Sequence, residues 1–469
     1  MDDDYSAYTI LSPGKAGKST ATYQDEMWVL PYSENPEAAR LYDEAKQEYE
    51  KKNPQGEIEA LKRAVALDPK FIRAWLWLGE IYKFTRQRDL ALEAYRKAID
   101  IDPDQPVSYK ALGFTLMAAG KLEDAIPVWQ QLIRAAPEDS DGPLGLGTVL
   151  LLLKRYREAV SSLESAVKLN PERGSLQWQL ASAYLRAGDD DKATAMFRKA
   201  IEASPGPEML NNAAYEMAEA DKQLALALEY GEKAVRSEED ASTRIDLVKL
   251  QVEDLAHTQR LASYWDTLGW VYNRMSQLDQ AEKYLDAGWK MSQHGVIAAH
   301  LCHVYERLHK TQAAIQMCQF ALNRIPLTGG PEMFLGSNQM EETRRRLEHL
   351  QGLSPVSAKS QNMVATSDAI NRMNVFKLPR LVPGTASAEY FILLAADPGS
   401  GMFKIQDVKF ISGSEKMKGS GKLLTSIDFN FPSPDKIPAR LVRRGILGCY
   451  QYTGCSFVLL DPSTVHSVN

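Results

Sequence analysis

Several features that mark common classes of protein are scarce in this sequence. Its 469 residues include four cysteines, too few for a disulfide-rich secreted scaffold. Basic residues do not outnumber acidic ones: the net charge of −6 argues against a general binder of nucleic acid or of anionic membranes. The longest apolar run, residues 144–153, is too short to span a bilayer. We therefore expect a soluble, folded chain without membrane insertion.

Signatures of common catalytic and metal sites are also missing. The sequence contains no HExxH, GxSxG or GxxxxGK[ST] motif, and its cysteine spacing does not fit a structural zinc site. We therefore predict no catalytic residue, no metal and no cofactor. Residues 1–4, MDDD, lack the basic start and apolar run of a secretory signal, so the sequence itself leaves the compartment open.

What the sequence does contain is a strict repeat. Pro69, Pro103, Pro137, Pro171 and Pro205 follow one another at intervals of 34 residues. Each of the first four ends a similar phrase: AVALDP, AIDIDP, LIRAAP and AVKLNP. Because proline cannot continue a helix, each one is expected to end a helix before the next repeat begins.

Between the prolines, small and large residues recur in fixed slots. The small slot of the repeat holds Gly79, Gly113, Gly147 and Ala181. The large slot, 16 residues later, holds Tyr95, Trp129, Leu163 and Phe197. Apolar spacings of three and four place these residues on one face of each helix. The pattern resembles the tetratricopeptide repeat, W-x2-L-G-x2-Y followed by A-x3-F and Pro. The resemblance implies two antiparallel helices per repeat, in which small residues let the backbones approach and large ones fill the gaps.

Less regular copies extend the array to seven or eight repeats over residues 37–326. Residues 236–260 are polar and are expected to insert an extra helix around residues 246–255. Residues 340–350 are expected to form a polar capping helix, as the end of a solenoid requires. The predicted fold class is an α-solenoid followed by a small α+β domain.

The resemblance implies a concave groove lined by the fifth and ninth residues of each repeat. The residues that we predict for a partner-binding groove are Leu76, Glu80, Lys110, Phe114, Trp178, Asn212, Glu216 and Trp270. Such a mixture suits an extended peptide or a partner helix held by aromatic anchors. Packing of Phe114, Trp178 and Trp270 against neighbouring helices is the alternative.

Two further clusters have a functional and a structural interpretation. His300 and His303 share a helix face and could bind a metal, but their slots favour ordinary packing. Cys302 and Cys318 face each other across a predicted helix pair, and buried free thiols are the favoured interpretation.

The composition changes after the repeats. Strand-like runs at residues 389–395 and 403–411 flank a DPGSG turn, and further strands are predicted at 427–431, 440–447 and 456–460, with a short helix at 415–426. Cys449 and Cys455 lie at the ends of two such strands, and we predict a disulfide between them in an oxidising compartment. Arg443 and Arg444 could bind an anionic partner, but a solvated strand end is the favoured interpretation.

A second resemblance rests on the phrases YWDTLGWVY (264–272), VKFISG (408–413), LVRRGIL (441–447) and GCSFVLL (454–460). They are similar to the C-terminal half of bacterial exported proteins that carry a transglutaminase-like region before tetratricopeptide repeats. The resemblance implies a periplasmic or cell-envelope location. This chain has about 35 residues before the repeats and no cysteine before Cys302, so the transglutaminase-like region and its nucleophile are not expected here.

The predicted domains are an extension of irregular structure or short strands at 1–36, the repeats with their capping helix at 37–351, a linker at 352–374 and the α+β domain at 375–469. The predicted function is a non-catalytic scaffold that binds a protein or peptide partner and no nucleic acid; the oligomeric state stays open. The alternatives are a detached helper of a transglutaminase-like enzyme, or an enzyme or redox module that uses the C-terminal domain.

Overall fold

A computed structural model describes residues 26–27, 29–324, 332–353, 372–379, 384–397, 399–429, 431–434, 439–451 and 454–461. These residues divide into two compact units. Unit 1 comprises Met1–Pro205 with Gly329–Pro331, and unit 2 comprises Gly206–Thr328 with Glu332–Asn469. Among the described residues, no helix is long and apolar enough to cross a membrane.

The described residues of unit 1 from Pro36 onward form five consecutive helix pairs. Its helices are α1 (Pro36–Glu50), α2 (Pro54–Leu67), α3 (Ile72–Phe84), α4 (Arg88–Ile101), α5 (Pro106–Ala118), α6 (Leu122–Ala135), α7 (Asp141–Leu152), α8 (Tyr156–Leu169), α9 (Gly174–Ala187) and α10 (Asp190–Ala203). The first pair opens with the Asn35 side chain, which accepts hydrogen bonds from the backbone N–H groups of Glu37 and Ala38. Residues 1–25 lie outside the described residues.

The evenly spaced prolines lie where the second helix of each pair ends. The C-caps of α2, α4, α6, α8 and α10 are Asp68, Asp102, Ala136, Asn170 and Ser204, and the residue after each C-cap is a proline. A proline just beyond the C-cap prevents the helix from continuing. The 34-residue interval is therefore the length of one helix pair, as the sequence predicted.

Close approach of the two helices in a pair depends on the small slot. A Cβ atom added to Gly113 on α5 would lie 2.6 Å from the Trp129 ring on α6, and one added to Gly79 on α3 would lie 2.3 Å from the Tyr95 ring. Trp129 and Tyr95 are fully buried. Any larger residue in the small slot would therefore force the helices apart.

Before its strands, the described part of unit 2 contains three helix pairs and one further long helix. These are α11 (Pro207–Glu219), α12 (Leu224–Ser242), α13 (Val252–Arg274), α14 (Leu278–Ser292), α15 (Gly295–Arg307), α16 (Thr311–Arg324) and α17 (Glu332–Leu353). The extra helix expected around residues 246–255 is wrong. A short 3-10 turn, Leu247–Lys249, separates α12 from α13. The polar residues after it form the first turns of α13, which begins with a capping box between Gln251 and Asp254.

The C-terminal part of unit 2 is one antiparallel sheet. Its strands are β1 (Val375–Leu378), β2 (Ala386–Ala396), β3 (Phe403–Gly413), β4 (Arg440–Tyr450) and β5 (Gly454–Leu459), in the spatial order β1-β5-β4-β2-β3. A 3-10 helix, Glu415–Ser426, follows β3. The predicted fold class, helix pairs followed by a small domain of strands and one short helix, is confirmed.

The strand expected at 427–431 is wrong. Ile427, Phe429 and Phe431 are each less than a tenth exposed, which reproduces the alternation of a strand. Among its described residues, however, this stretch forms no ladder: the Phe431 carbonyl oxygen accepts one hydrogen bond from the Phe403 N–H at 2.8 Å, and the next residue, Pro432, forms an isolated bridge with Met402. Burial of alternate side chains therefore does not require strand pairing here.

The sheet packs against α13 within unit 2. A buried cluster joins residues before and in α13 with residues of β2 and β4; its members are Ile245, Leu247, Leu250, Leu255, Phe391, Leu393 and Val442. The hydroxyl of Thr258 on α13 donates a hydrogen bond to the carbonyl oxygen of Val442 at 2.9 Å. The sheet thus shares its core with the repeat helices of its unit. The domain boundaries at 36, 351 and 374 stay predictions, and residues 354–371 of the predicted linker lie outside the described residues.

Candidate functional site

Unit 1 contains five of the eight predicted groove residues, all on first helices of their pairs. Leu76 and Lys110, at fifth positions of α3 and α5, are 1% and 3% exposed. Glu80 on α3, Phe114 on α5 and Trp178 on α9 are half-buried. Positions three to four apart on a helix lie on one face, so Glu80 follows Leu76 and Phe114 follows Lys110 along the same side.

Glu80 is held by its own helix pair. Its carboxylate accepts a hydrogen bond from the Tyr95 hydroxyl at 2.6 Å and pairs with the Lys83 ammonium group at 2.6 Å. Leu76 belongs to the hydrophobic core of unit 1. Leu76 therefore offers almost no surface to a partner, and its role in a groove stays a prediction.

Lys110 lies in a cluster of carboxylates. Its Nζ atom is 2.8 Å from Glu26 Oε1, 2.8 Å from Asp139 Oδ2 and 3.2 Å from Asp141 Oδ2. Burial favours the neutral amine, but the hydrogen bonds with Asp139 and Glu26 and the charge of Asp141 outweigh it and raise the pKa of Lys110. The group is therefore a permanently charged ammonium at the surface of α5.

Asp141 connects this cluster to the next pair. Its Oδ1 atom accepts a hydrogen bond from Arg173 Nη1 at 2.6 Å. Although burial raises the pKa of Asp141, the charges of Arg173 and Lys110 are stronger and lower it overall. The carboxylate of Asp141 thus stays ionised beside Lys110.

Each of the two aromatic residues predicted for the groove in unit 1 packs against a buried aromatic ring of its own helix pair. Phe114 contacts the buried Trp129 edge to face, with ring centroids 5.0 Å apart. Trp178 contacts the buried Phe197 in the same way, also at 5.0 Å. Each half-buried ring is therefore fixed by a large-slot residue of its own pair, which is the packing that the alternative interpretation expects.

The remaining predicted groove residues are in unit 2. Asn212 on α11 is exposed and Glu216 is half-buried, whereas Trp270 on α13 is 7% exposed. The Trp270 indole N–H donates to Glu219 Oε1 at 2.7 Å, and its ring stacks on His300 with centroids 4.2 Å apart. Trp270 thus packs against its neighbours, and its part in a groove stays a prediction.

His300 pairs with a carboxylate and not with a second metal ligand. Its Nδ1 atom is 2.7 Å from Asp266 Oδ1. Burial disfavours the imidazolium, but the charge of Asp266 and its hydrogen bond prevail and raise the pKa of His300. His303 differs: burial and the charges of Arg346 and Arg307 lower its pKa to about 3. Within the described ranges, no group of three or more His, Cys, Asp or Glu side chains is arranged to hold a metal ion.

All four cysteines are paired in the structure. Cys449 and Cys455 are opposite residues of β4 and β5, with Cα atoms 4.0 Å apart, and form a disulfide. Cys302 and Cys318 also form a disulfide, with Cα atoms 5.2 Å apart, so the expectation of free thiols is wrong. They occupy the small and the large slot of the eighth pair, the two slots that approach most closely in the other pairs.

Sequence reasoning missed the partners of Lys110. Glu26 comes from before the first repeat, 84 residues away, and no periodic signal connects it to α5. Asp139 and Asp141 follow Pro137 at the start of the fourth pair, and their acidity was a readable but unused signal. Arg73 at the start of α3 was also missed; it is buried and donates to the backbone carbonyl oxygen of Leu30 at 3.1 Å.

Comparison with known protein families identifies the helix pairs. Residues 72–105 match one family model of the tetratricopeptide repeat, and residues 111–161 and 144–207 match a second. These pairs of unit 1 are therefore tetratricopeptide repeats, as the spacing of residues predicted.

Solved structures to which the chain is similar include a MamA protein, with 23% identity over 35% of this chain and 91% of that chain, at a TM-score of 0.33. YrrB, described as a TPR protein with an unusual peptide-binding site, has 24% identity over 38% of this chain and 92% of that chain, at a TM-score of 0.32. MamA from Desulfovibrio magneticus RS-1 has 18% identity over 36% of this chain and 97% of that chain, at a TM-score of 0.34. No curated protein matches the chain.

Proposed function

We propose that this chain, which contains tetratricopeptide repeats within residues 72–207, is a non-catalytic interaction scaffold. In this proposal, the first-helix face of unit 1, defined by Arg73, Glu80, Lys110, Phe114 and Trp178, captures an extended segment of a partner protein. Tetratricopeptide pairs stack so that consecutive first helices line one surface, and an extended segment is the ligand that such a surface fits.

The observation that carries the proposal is the pair of supported aromatic rings. Phe114 and Trp178 are half-buried, and each is fixed edge to face by a buried aromatic residue at 5.0 Å. A ring that is already fixed loses little conformational entropy when a partner covers its exposed side. Tryptophan and other aromatic residues in such settings dominate binding energy at protein interfaces.

Trp178→Ala tests the proposal. We expect the variant to lose its protein partner in affinity capture, with at least about a tenfold drop in recovery, because one hot-spot residue commonly contributes about 2 kcal/mol or more. The matched control is Phe84→Ala, which removes a ring that is 55% exposed at the end of α3. Recovery should be quantified by mass spectrometry, with thermal unfolding of each variant to establish that it is folded.

Two outcomes would count against the proposal. One is a folded Trp178→Ala variant that recovers the same partners as the unmodified chain. The other is an equal loss in Phe84→Ala, since that would place the binding surface elsewhere.

The helper role beside a transglutaminase-like enzyme, and an enzymatic or redox role of the C-terminal domain, stay predictions. The envelope or periplasmic location and the exclusion of nucleic acid also stay predictions. Nothing in the described part of the chain favours these roles over partner binding.

A further inference from the structure

A short segment that precedes the repeats lies on the first-helix face of unit 1. The carboxylate of Glu26 contacts Lys110 Nζ with both oxygens, at 2.8 and 3.1 Å. Four residues later, the carbonyl oxygen of Leu30 accepts a hydrogen bond from Arg73 Nη1 at 3.1 Å. Arg73 and Lys110 belong to α3 and α5, so the segment connects two successive repeats.

The Lys110 contact leaves one place for an acidic group from outside the repeats. An ammonium group has three N–H donors. Asp139 and Asp141 accept two of them, and both belong to the repeat wall. Glu26 takes the third position. Its side chain is 38% exposed, whereas that of Lys110 is 3% exposed, so the acid can be exchanged while the lysine stays in place.

The rest of the segment is recognised in two other ways. Arg73 binds a main-chain carbonyl group, which any residue provides, and its guanidinium is oriented by a hydrogen bond from Nε to the Tyr42 hydroxyl at 2.9 Å. Met27 is 3% exposed and joins the core of unit 1, whereas Val29 is 83% exposed. This surface thus binds three features of the segment: an acidic side chain, an adjacent apolar side chain and a backbone carbonyl group.

We propose that residues 26–27 and 29–30 occupy the binding site of the partner in the unbound chain, and that the partner displaces them with an acidic segment of its own. The partner segment would carry a carboxylate for Lys110 followed by an apolar side chain. This inference rests on the proposed function and adds to it the chemistry of the ligand and an internal competitor. Glu26 is the exposed member of this ion pair, so a carboxylate of the partner can take its place beside Lys110, and an apolar side chain of the partner can replace the buried Met27.

The test is binding of the segment in trans to the full chain. A fluorescein-labelled peptide with the sequence of residues 22–32, TYQDEMWVLPY, is titrated with the protein, and its fluorescence anisotropy is followed. In Glu26→Lys, the internal segment places a like charge beside Lys110 and should leave the site. We expect this variant to bind the peptide at least tenfold more tightly than the unmodified chain does.

The matched control is Glu34→Lys, which makes the same charge change at an exposed residue of the same extension. It should bind the peptide as weakly as the unmodified chain. A milder variant, Glu26→Gln, should give an intermediate gain and keeps the test valid if Glu26→Lys does not fold. Equal affinities in all four proteins, or an equal gain in Glu34→Lys, would overturn the inference.

The chemistry of the ligand is tested on the peptide itself. With Glu26→Lys protein, a peptide carrying Glu26→Gln should bind about tenfold more weakly than the unmodified peptide, and one carrying Glu26→Lys should not bind measurably. Adding Lys110→Met to the protein should remove the difference between the unmodified and the Glu26→Gln peptides. A surface that prefers the neutral or the basic peptide would contradict an acidic ligand.

Failure of this inference is distinguishable from failure of the proposed function. If the peptide does not bind but Trp178→Ala still loses a partner in affinity capture, the scaffold role holds and the internal competitor is wrong. If the peptide binds as expected and Trp178→Ala loses no partner, the competitor holds and the aromatic anchor is wrong.

Discussion

At the scale of single residues, Glu57 lies in a buried environment in which an ionised carboxylate is unfavourable. It lies on α2 and is 2% exposed, and its Oε2 atom has no hydrogen-bond partner among the described residues. Burial raises the pKa of Glu57 to about 7, against the opposing effect of a hydrogen bond from Trp77 and with a small contribution from Glu48. The protonated carboxyl is therefore the form that the folded chain prefers.

Glu57 should make folding less favourable as the pH rises. Since its pKa is higher in the folded than in the unfolded chain, its contribution is fully present below pH 4.5 and is lost as the pH rises through 7. The loss amounts to as much as about 3 kcal/mol, from about 1.4 kcal/mol per pKa unit. Glu57→Gln avoids this loss, so its stability advantage in urea unfolding should grow between pH 5 and pH 8.

The control for this prediction is Glu59→Gln, in the same helix. Glu59 is exposed, and its substitution should leave the pH profile of the unmodified chain in place. A Glu57→Gln variant whose difference from the unmodified chain is the same at pH 5 and pH 8 would show that the carboxyl is not destabilised by burial.

Which residues could be predicted depended on whether their contacts are local. The small and large slots follow from spacing because Gly113 and Trp129 meet within one helix pair. The contact of Lys110 with Glu26 joins residues 84 apart, and Glu26 precedes the repeats, so no period connects them. Residues of the first helices could therefore be proposed for a groove from the sequence, which stays a prediction, whereas the charge partner of Lys110 could not be named.

At the scale of elements, the eighth helix pair is closed by a covalent bond. Cys302 on α15 lies in the small slot and Cys318 on α16 in the large slot, the positions that Gly113 and Trp129 hold in the third pair. The bond closes a loop with a sequence separation of 16 residues. The sequence placed both cysteines in facing slots; what it could not provide was the distance between the helices, which decides between thiols and a disulfide.

Removing this disulfide should weaken unit 2. For protein refolded in a glutathione redox buffer, Cys302→Ala/Cys318→Ala is expected to lower the free energy of unfolding by about 3 kcal/mol, since the unfolded chain gains the freedom of an open loop. Cys449→Ala/Cys455→Ala opens a shorter loop, with a separation of 6, and should cost less. Urea unfolding measures both. Four free thiols in the denatured, unreduced protein would contradict the pairing.

Over the whole molecule, the least predictable feature is the contact of the sheet with α13 and α14. Arg443 was expected at a solvated strand end, but it is 3% exposed and donates to the backbone carbonyl oxygens of Met291 and Leu460 at 2.5 and 2.9 Å. Burial lowers its pKa to about 10. The hydropathy pattern and composition of β4 contain no signal for the hydrogen bond between Arg443 and Met291, which are 152 residues apart. The strands could therefore be predicted from the sequence, but their packing on the helices could not.

Thr258→Val tests this docking. Valine keeps the shape of threonine but cannot donate to the carbonyl oxygen of Val442, which would then be buried without its partner. We expect unit 2 to lose about 1 to 3 kcal/mol in urea unfolding. Thr258→Ser retains the hydroxyl group and should lose less, mainly through its missing methyl group. If the valine variant were as stable as the serine variant, the hydrogen bond would not contribute to docking.

The position of Glu26 affects the concentration of partner that is needed to displace the internal segment. Leu30 is only six residues before the start of α1 at Pro36, so the segment stays tethered beside its site even when it is released. A short tether keeps such a segment at an effective concentration on the order of millimolar. A dilute, monovalent peptide competes poorly with that, whereas an assembly that displays many copies of an acidic segment competes well. The chain would then bind multivalent partners and bind monovalent partners only weakly.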